Sequence, residues 1–94
     1  MSQQFVIVVY DISDDKRRTR LHKRLRDFGS PVQFSVFECV LSAKQLKGMK
    51  AALQKIIRPR IDHVRLYFLD EAARKKIEVF GRKKVTEKPD SLVV

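Results

Sequence analysis

Phe5-Val6-Ile7-Val8-Val9-Tyr10-Asp11 is an unbroken apolar run that ends on a carboxylate. A strand covered on one side alternates apolar with polar residues. This run is apolar at both parities and rich in β-branched side chains, the pattern of a central strand covered on two faces. Beyond Asp11, Ser13 and Asp14 are helix-capping residues. Leu21, Leu25 and Phe28 then recur at helical spacing until Gly29 and Pro31 close the segment, which predicts a helix over Asp14 to Phe28.

Further along, Val32 to Leu41 reads as a second strand. Val32, Phe34, Val36 and Val40 share one face, and Gln33, Ser35, Phe37, Cys39 and Leu41 share the other. Periodicity leaves room for a hairpin partner in or beside this segment and does not resolve it. Ser42 and Gln45 have capping-box spacing, and Leu46, Met49, Leu53 and Ile57 mark one face of a second helix that Pro59 terminates. Val64, Leu66 and Phe68 alternate with Arg65, Tyr67 and Leu69 as a further strand, and Ile77 to Phe80 is a short apolar segment read as an extra terminal strand. The expected class is α+β, with helices on one face of an antiparallel sheet, in one domain over 1–81. The tail, 82–94, is polar until Leu92-Val93-Val94, which reads either as a docking strand or as a frayed end. Because the first strand is apolar on both sides, the uncovered sheet face predicts a two-fold homodimer.

The chain has 94 residues, and a domain of that size buries only about 60–65% of its unfolded surface, so self-association also helps stability. Lys and Arg number 21 against 11 Asp and Glu, a net charge of +10 that draws polyanions and makes nucleic acid the first partner to consider. Cys39 is the sole cysteine, which excludes an intramolecular disulfide and a cysteine-built metal site. No apolar stretch approaches the roughly 20 residues of a membrane span, and no signal-type segment is present; a cytoplasmic protein with no membrane partner is expected.

Asp11 stands where a strand gives way to a turn. Magnesium takes oxygen ligands, often one or two carboxylates with waters and phosphate oxygens, so Asp11 is either its ligand or a turn former. Lys16, Arg17, Arg18, Arg20, Lys23, Arg24 and Arg26 follow within one helix. Arg17 and Arg18 fall near the helix start, where they pair with Asp11, hold a phosphate beside it, or pack over the core edge. Tyr10 and Phe37 are candidates for base stacking or for the core. His22 and His63 have no second ligand at metal spacing and receive no catalytic role. The glycine-containing aromatic motif of the four-stranded RNA-recognition sheet is absent.

Val9-Tyr10-Asp11-Ile12-Ser13-Asp14-Asp15-Lys16-Arg17-Arg18, then Gly29, then Gln33-Phe34-Ser35-Val36-Phe37-Glu38, closely resembles the smaller of the two universal CRISPR adaptation proteins, over most of residues 5–80. The resemblance implies a ferredoxin-like βαββαβ sandwich with an extra C-terminal strand. It also implies a homodimer in which two Asp11 side chains share a magnesium ion, cleavage of single-stranded RNA or double-stranded DNA, and partnership with the larger adaptation integrase. By position, Asp11 is the implied catalytic residue and metal ligand. Arg18 and Arg20 are the implied phosphate contacts, to which the basic run adds Lys16 and Arg17 as nucleic-acid-binding candidates, and Ser35 and Phe37 shape the cleft beside Tyr10. Pro31 stands where some relatives have a basic residue. The alternatives are a non-catalytic adaptor that holds duplex DNA through its phosphates and, ranked last, a toxin-type ribonuclease of the same fold.

Overall fold

A computed structural model describes residues 3–82 and 84–87. Along the chain run β1 (Gln4–Asp11), α1 (Asp15–Leu25), β2 (Gly29–Gln33), β3 (Val36–Leu41), α2 (Ala43–Ile56), β4 (His63–Leu69) and a short α3 (Glu71–Lys75). The four strands form one sheet in the order β2-β3-β1-β4, with every neighbouring pair antiparallel. This is the ferredoxin-like βαββαβ arrangement, and the two-sided apolar run is one of its two central strands.

On the face covered by α1 and α2, Val6, Val8 and Tyr10 of β1 lie with Phe37, Cys39 and Leu41 of β3, all buried. Leu21 and Leu25 of α1 and Met49, Leu53 and Ile56 of α2 close over them. Cys39 has no exposed surface. Burial pushes its thiol up to about 11, with the neighbouring Glu38 charge adding to the effect, so it is an inert packing group.

The helix limits follow from local chemistry. The Asp14 carboxylate accepts from the Arg17 amide at 2.9 Å and starts α1, so Asp14 caps the helix without entering it. α1 ends at Leu25, earlier than the apolar spacing through Phe28 implies. Asp27 and Phe28 hydrogen-bond back to Arg24 and Leu25 in a tight terminal turn that leads into β2. At α2 the Ser42 hydroxyl accepts from the Gln45 amide and the Gln45 side chain accepts from the Ser42 amide, a reciprocal cap.

The stretch read as one strand from Val32 to Leu41 is two strands that turn at Phe34 and Ser35. The register of this β2–β3 hairpin shifts between Pro31 and Gln33. Pro31 is tolerated because β2 is an edge strand. Gly29 opposes Cys39, and a Cβ there would collide with the Cys39 sulfur and the Glu38 carbonyl, with the Cys39 Cα only 3.0 Å away. Gly29→Ala is therefore expected to destabilise the fold by about 1–3 kcal/mol, because the obstacle is mostly a buried neighbour and its backbone. Urea unfolding measures it, and a midpoint equal to wild type would contradict this packing.

Ile77 to Phe80, read as an extra strand, is not one; Asp70 instead caps the brief α3 by accepting from the Ala73 amide at 2.8 Å, and Phe80 is 94% exposed. Leu92-Val93-Val94 lies outside the described residues. On the sheet face away from α1 and α2, Ile7, Val9, Val36 and Val40 are half-buried. The Arg74 guanidinium of α3 covers Phe5 at 5.5 Å from the ring centroid, and the Thr86 amide donates to Glu38 Oε1 at 2.9 Å, so the chain after β4 returns to this face.

Candidate functional site

Asp11 is the last residue of β1. Tyr10 before it and Ile12 after it are buried, so Asp11 projects to the other side, onto the exposed end of the sheet face that carries Ile7 and Val9. Asp14 and Asp70 cap helices, Asp15 pairs with Arg18, Asp27 with Arg24, and Asp62 with Arg17. Among the described residues, Asp11 is the aspartate whose carboxylate has no partner.

His63, the first residue of β4, is directly across the strand pair from Asp11 and also exposed. Side chains opposed in this way stand about 5 Å apart at Cβ. The chain spacing that made His63 look isolated hid this neighbour, which only the β1–β4 register reveals. On the opposite flank of Asp11 comes the β2–β3 turn, tied to β1 by the Tyr10 amide donating to the Ser35 carbonyl at 3.1 Å.

Arg17 does not meet Asp11. Its Nε and Nη2 donate to Oδ2 and Oδ1 of Asp62 at 2.9 and 3.0 Å, and the Arg58 amide donates to Oδ2 at 2.9 Å. Asp62 is only 3% exposed, and this two-point pair fastens α1 to the loop before β4. Its carboxyl is pulled down to about 2, chiefly by the Arg17 hydrogen bond. Arg17 is thereby a structural tie rather than a free phosphate contact.

Arg18 is half-exposed, donates to the Ile12 carbonyl at 2.9 Å and pairs with the exposed carboxylate of Asp15. An exposed pair of that kind is weak enough for a phosphate to displace. Lys16 and Arg20 are exposed, and together with Asp15, Thr19 and Lys23 they line a shallow depression on the outer side of α1. Lys16, Arg18 and Arg20, rather than Arg17, form the accessible basic surface near the start of α1.

Tyr10 and Phe37 lie in the core, 3% and 0% exposed. Their rings are 6.3 Å apart, and the His22 imidazole meets Phe37 edge-on at 5.0 Å. Neither ring lines the surface that carries Asp11. Ser35, half-buried in the β2–β3 turn, does border it.

The family model described as CRISPR associated protein Cas2 matches residues 4–77. The chain belongs to this family. It is 38% identical over 92 residues to a Chloroflexus aurantiacus protein named CRISPR-associated endoribonuclease Cas2 3, covering 98% of this chain and 99% of that one. Crystalline Cas2 of Streptococcus pyogenes superposes with a TM-score of 0.72 at 32% identity, covering 82% of this chain and 99% of that one. A chain in a partial Cas6-RT-Cas1–Cas2 complex shares the fold, with a TM-score of 0.75 at 22% identity over 97% of this chain and 99% of that one. Cas2 relatives therefore match nearly the whole chain, and the Tyr10-Asp11 strand end and the Phe34-Ser35 turn both fall inside the matched family segment.

Proposed function

We propose that this Cas2-family chain acts in CRISPR adaptation as a two-fold homodimer that cleaves phosphodiester bonds in RNA or DNA with magnesium, alongside the larger adaptation integrase. The observation that carries the reading is the Asp11 carboxylate, exposed and unpartnered at the end of a half-buried apolar sheet face. Pairing two such faces would bury Ile7, Val9, Val36 and Val40 and bring a second Asp11 toward the first. The names of the relatives add the endoribonuclease activity, and the Cas1–Cas2 complex adds the kind of partner.

The donor set fits the ion: a hard carboxylate oxygen from each protomer, with phosphate oxygens and water completing the shell, is the way magnesium is commonly held. When bound, magnesium supplies Lewis acidity at a phosphoryl oxygen. The residues of the chain do the remainder. Lys16, Arg18 and Arg20 bind the polyanion and fix its path along α1, and His63 offers an imidazole to a phosphate oxygen next to Asp11. The sheet holds Asp11 on a fixed strand end, so it needs little reorganisation when substrate arrives.

One observation favours the adaptor reading in its place. No group of three or more His, Cys, Asp and Glu gathers among the described residues, whereas two-metal hydrolysis draws on several carboxylates. Labelled single-stranded RNA and double-stranded DNA incubated with wild type and Asp11→Asn, in magnesium and in chelator, decide between the two. The expected result is cleavage by wild type that falls in Asp11→Asn to the level seen with chelator, while salt-sensitive binding of both proteins stays equal. Equal cleavage by the two proteins, or none by either with binding intact, moves the function to the adaptor.

A further inference from the structure

The chain places one aromatic ring almost entirely in water next to the carboxylate site. Phe34, in the β2–β3 turn, is 95% exposed. Single exposed hydrophobic residues are ordinary, so exposure alone assigns nothing. Three further features distinguish this one.

First, the backbone beneath the ring is clamped. The Tyr10 hydroxyl donates to the Phe34 carbonyl at 2.8 Å and lies 3.1 Å from His22 Nδ1, while the Tyr10 amide donates to the Ser35 carbonyl. Burial raises the Tyr10 pKa, with the Arg18 charge opposing it, so the hydroxyl keeps the proton it donates. The turn is thus held by the strand that ends in Asp11, so the backbone that presents the ring is fixed before a ligand arrives.

Second, a concave surface adjoins the ring. Pro31, Val32, Gln33, Phe34 and Ser35 line it with His22 of α1, and its volume is about 600 Å³. The gap offers apolar walls with a few polar edges, as a flat heteroaromatic base requires. Third, the surroundings carry the charge of a phosphate chain's partner: the net charge is +10, and Lys16, Arg18 and Arg20 lie on the same helix as His22.

We propose that Phe34 is a base-stacking platform, on which an unpaired nucleobase of a single-stranded segment lies while the adjoining phosphates run along α1 toward Asp11. This inference rests on the nucleic-acid reading above and not on cleavage. It names a residue that binds bases where Tyr10 and Phe37, the aromatic candidates by motif, are enclosed in the core. A duplex keeps its bases stacked on one another, so the platform favours single strands and frayed ends.

The chain contains no tryptophan, so Phe34→Trp installs a unique fluorophore at the site. The test is titration of wild type, Phe34→Ala and Phe34→Trp with a short single-stranded RNA and with an abasic strand of the same length and charge. Sedimentation velocity on all three proteins accompanies it. Phe34→Ala is expected to weaken binding of the base-bearing strand by roughly five- to a hundredfold, with the abasic strand unaffected. Phe34→Trp is expected to retain affinity and to lose emission only with the base-bearing strand.

Equal affinity of wild type and Phe34→Ala for the RNA overturns the proposal, as does an equal loss on the abasic strand. A change of oligomeric state in Phe34→Ala also overturns it, because the ring is then a contact between protein chains. Wild type that binds neither strand defeats the nucleic-acid reading itself. A base-dependent loss in a protein that cleaves nothing leaves the platform standing and removes only the nuclease.

Discussion

Phe37→Ala is expected to remove about 3–5 kcal/mol of the folding stability and to lower the urea midpoint accordingly. Phe37 is completely buried, meets the edge of His22, and adjoins Tyr10 in the centre of the helix-covered face. Truncating such a ring costs about 3–5 kcal/mol, from lost burial and from the cavity left behind. A domain of this size has a total stability of roughly 5–14 kcal/mol, so the loss consumes much of it. Circular dichroism through a urea series reads the change. Phe37→Leu, which refills most of the volume, is expected to recover more than half of the deficit. If Phe37 served as a wall of a nucleic-acid cleft, Phe37→Ala would instead keep its urea midpoint and lose affinity alone. Phe37 nevertheless reaches function indirectly, because the imidazole it supports belongs to the Tyr10–His22 contact beneath the Phe34 turn.

Asp62→Ala is expected to lower the melting temperature by on the order of 10 °C or more. The substitution strands the Arg17 guanidinium, whose side chain is 14% exposed, and leaves the Arg58 amide without its acceptor. A double variant, Arg17→Met with Asp62→Leu, is expected to regain part of the loss, since it removes the stranded guanidinium but leaves the Arg58 amide without an acceptor. A melting temperature for Asp62→Ala within two or three degrees of wild type, an approximate allowance on the same scale, would sink this account.

The pair also sets a pH response. The folded-state pKa of Asp62, about 2, lies below the ordinary value of 3.8, so its stabilising contribution is complete above pH 4 or so. The contribution disappears as pH falls through the interval toward 2, where the folded state must also take up the proton. Stability of wild type is therefore expected to decline more steeply over that interval than stability of Asp62→Asn, which has no such carboxylate to protonate. Parallel melts from pH 5 to pH 2 give both slopes.

The central place of β1 was legible because burial on two sides leaves an apolar run at both parities, a pattern few other positions in a small sheet require. The start of α2 was legible from Ser42 and Gln45, whose capping chemistry is local. Local chemistry also explains the failures. Phe34 and Ser35 are not customary turn residues, and the register shift between Pro31 and Gln33 offsets the parity change of a two-residue turn, so Pro31 opposes Phe37 and the alternation reads straight across the hairpin. The helix stripe runs past Leu25 because Phe28, in the terminal turn, still packs against the core.

Asp11 was legible as a strand-end carboxylate, but its neighbours were not. Arg17 looked close to it along the chain and is taken by Asp62, far away in sequence. His63 looked isolated and stands opposite it through the sheet register. Partners made by tertiary pairing leave no mark on spacing.

The same strand order governs when the molecule can be completed during synthesis. β2 and β3 pair across a short turn, but Gln4 must meet Leu41 and Phe5 must meet Leu69. At roughly 5–20 residues per second on the ribosome, several seconds separate the emergence of β1 from that of β4. Throughout that delay the Val-Ile-Val-Val run has at most one neighbour, and its other edge is open to nascent chains nearby. The most buried strand of the finished protein is the one longest exposed in its making. A circular permutant that moves β4 ahead of β1 would shorten that exposure while leaving the completed sheet unchanged.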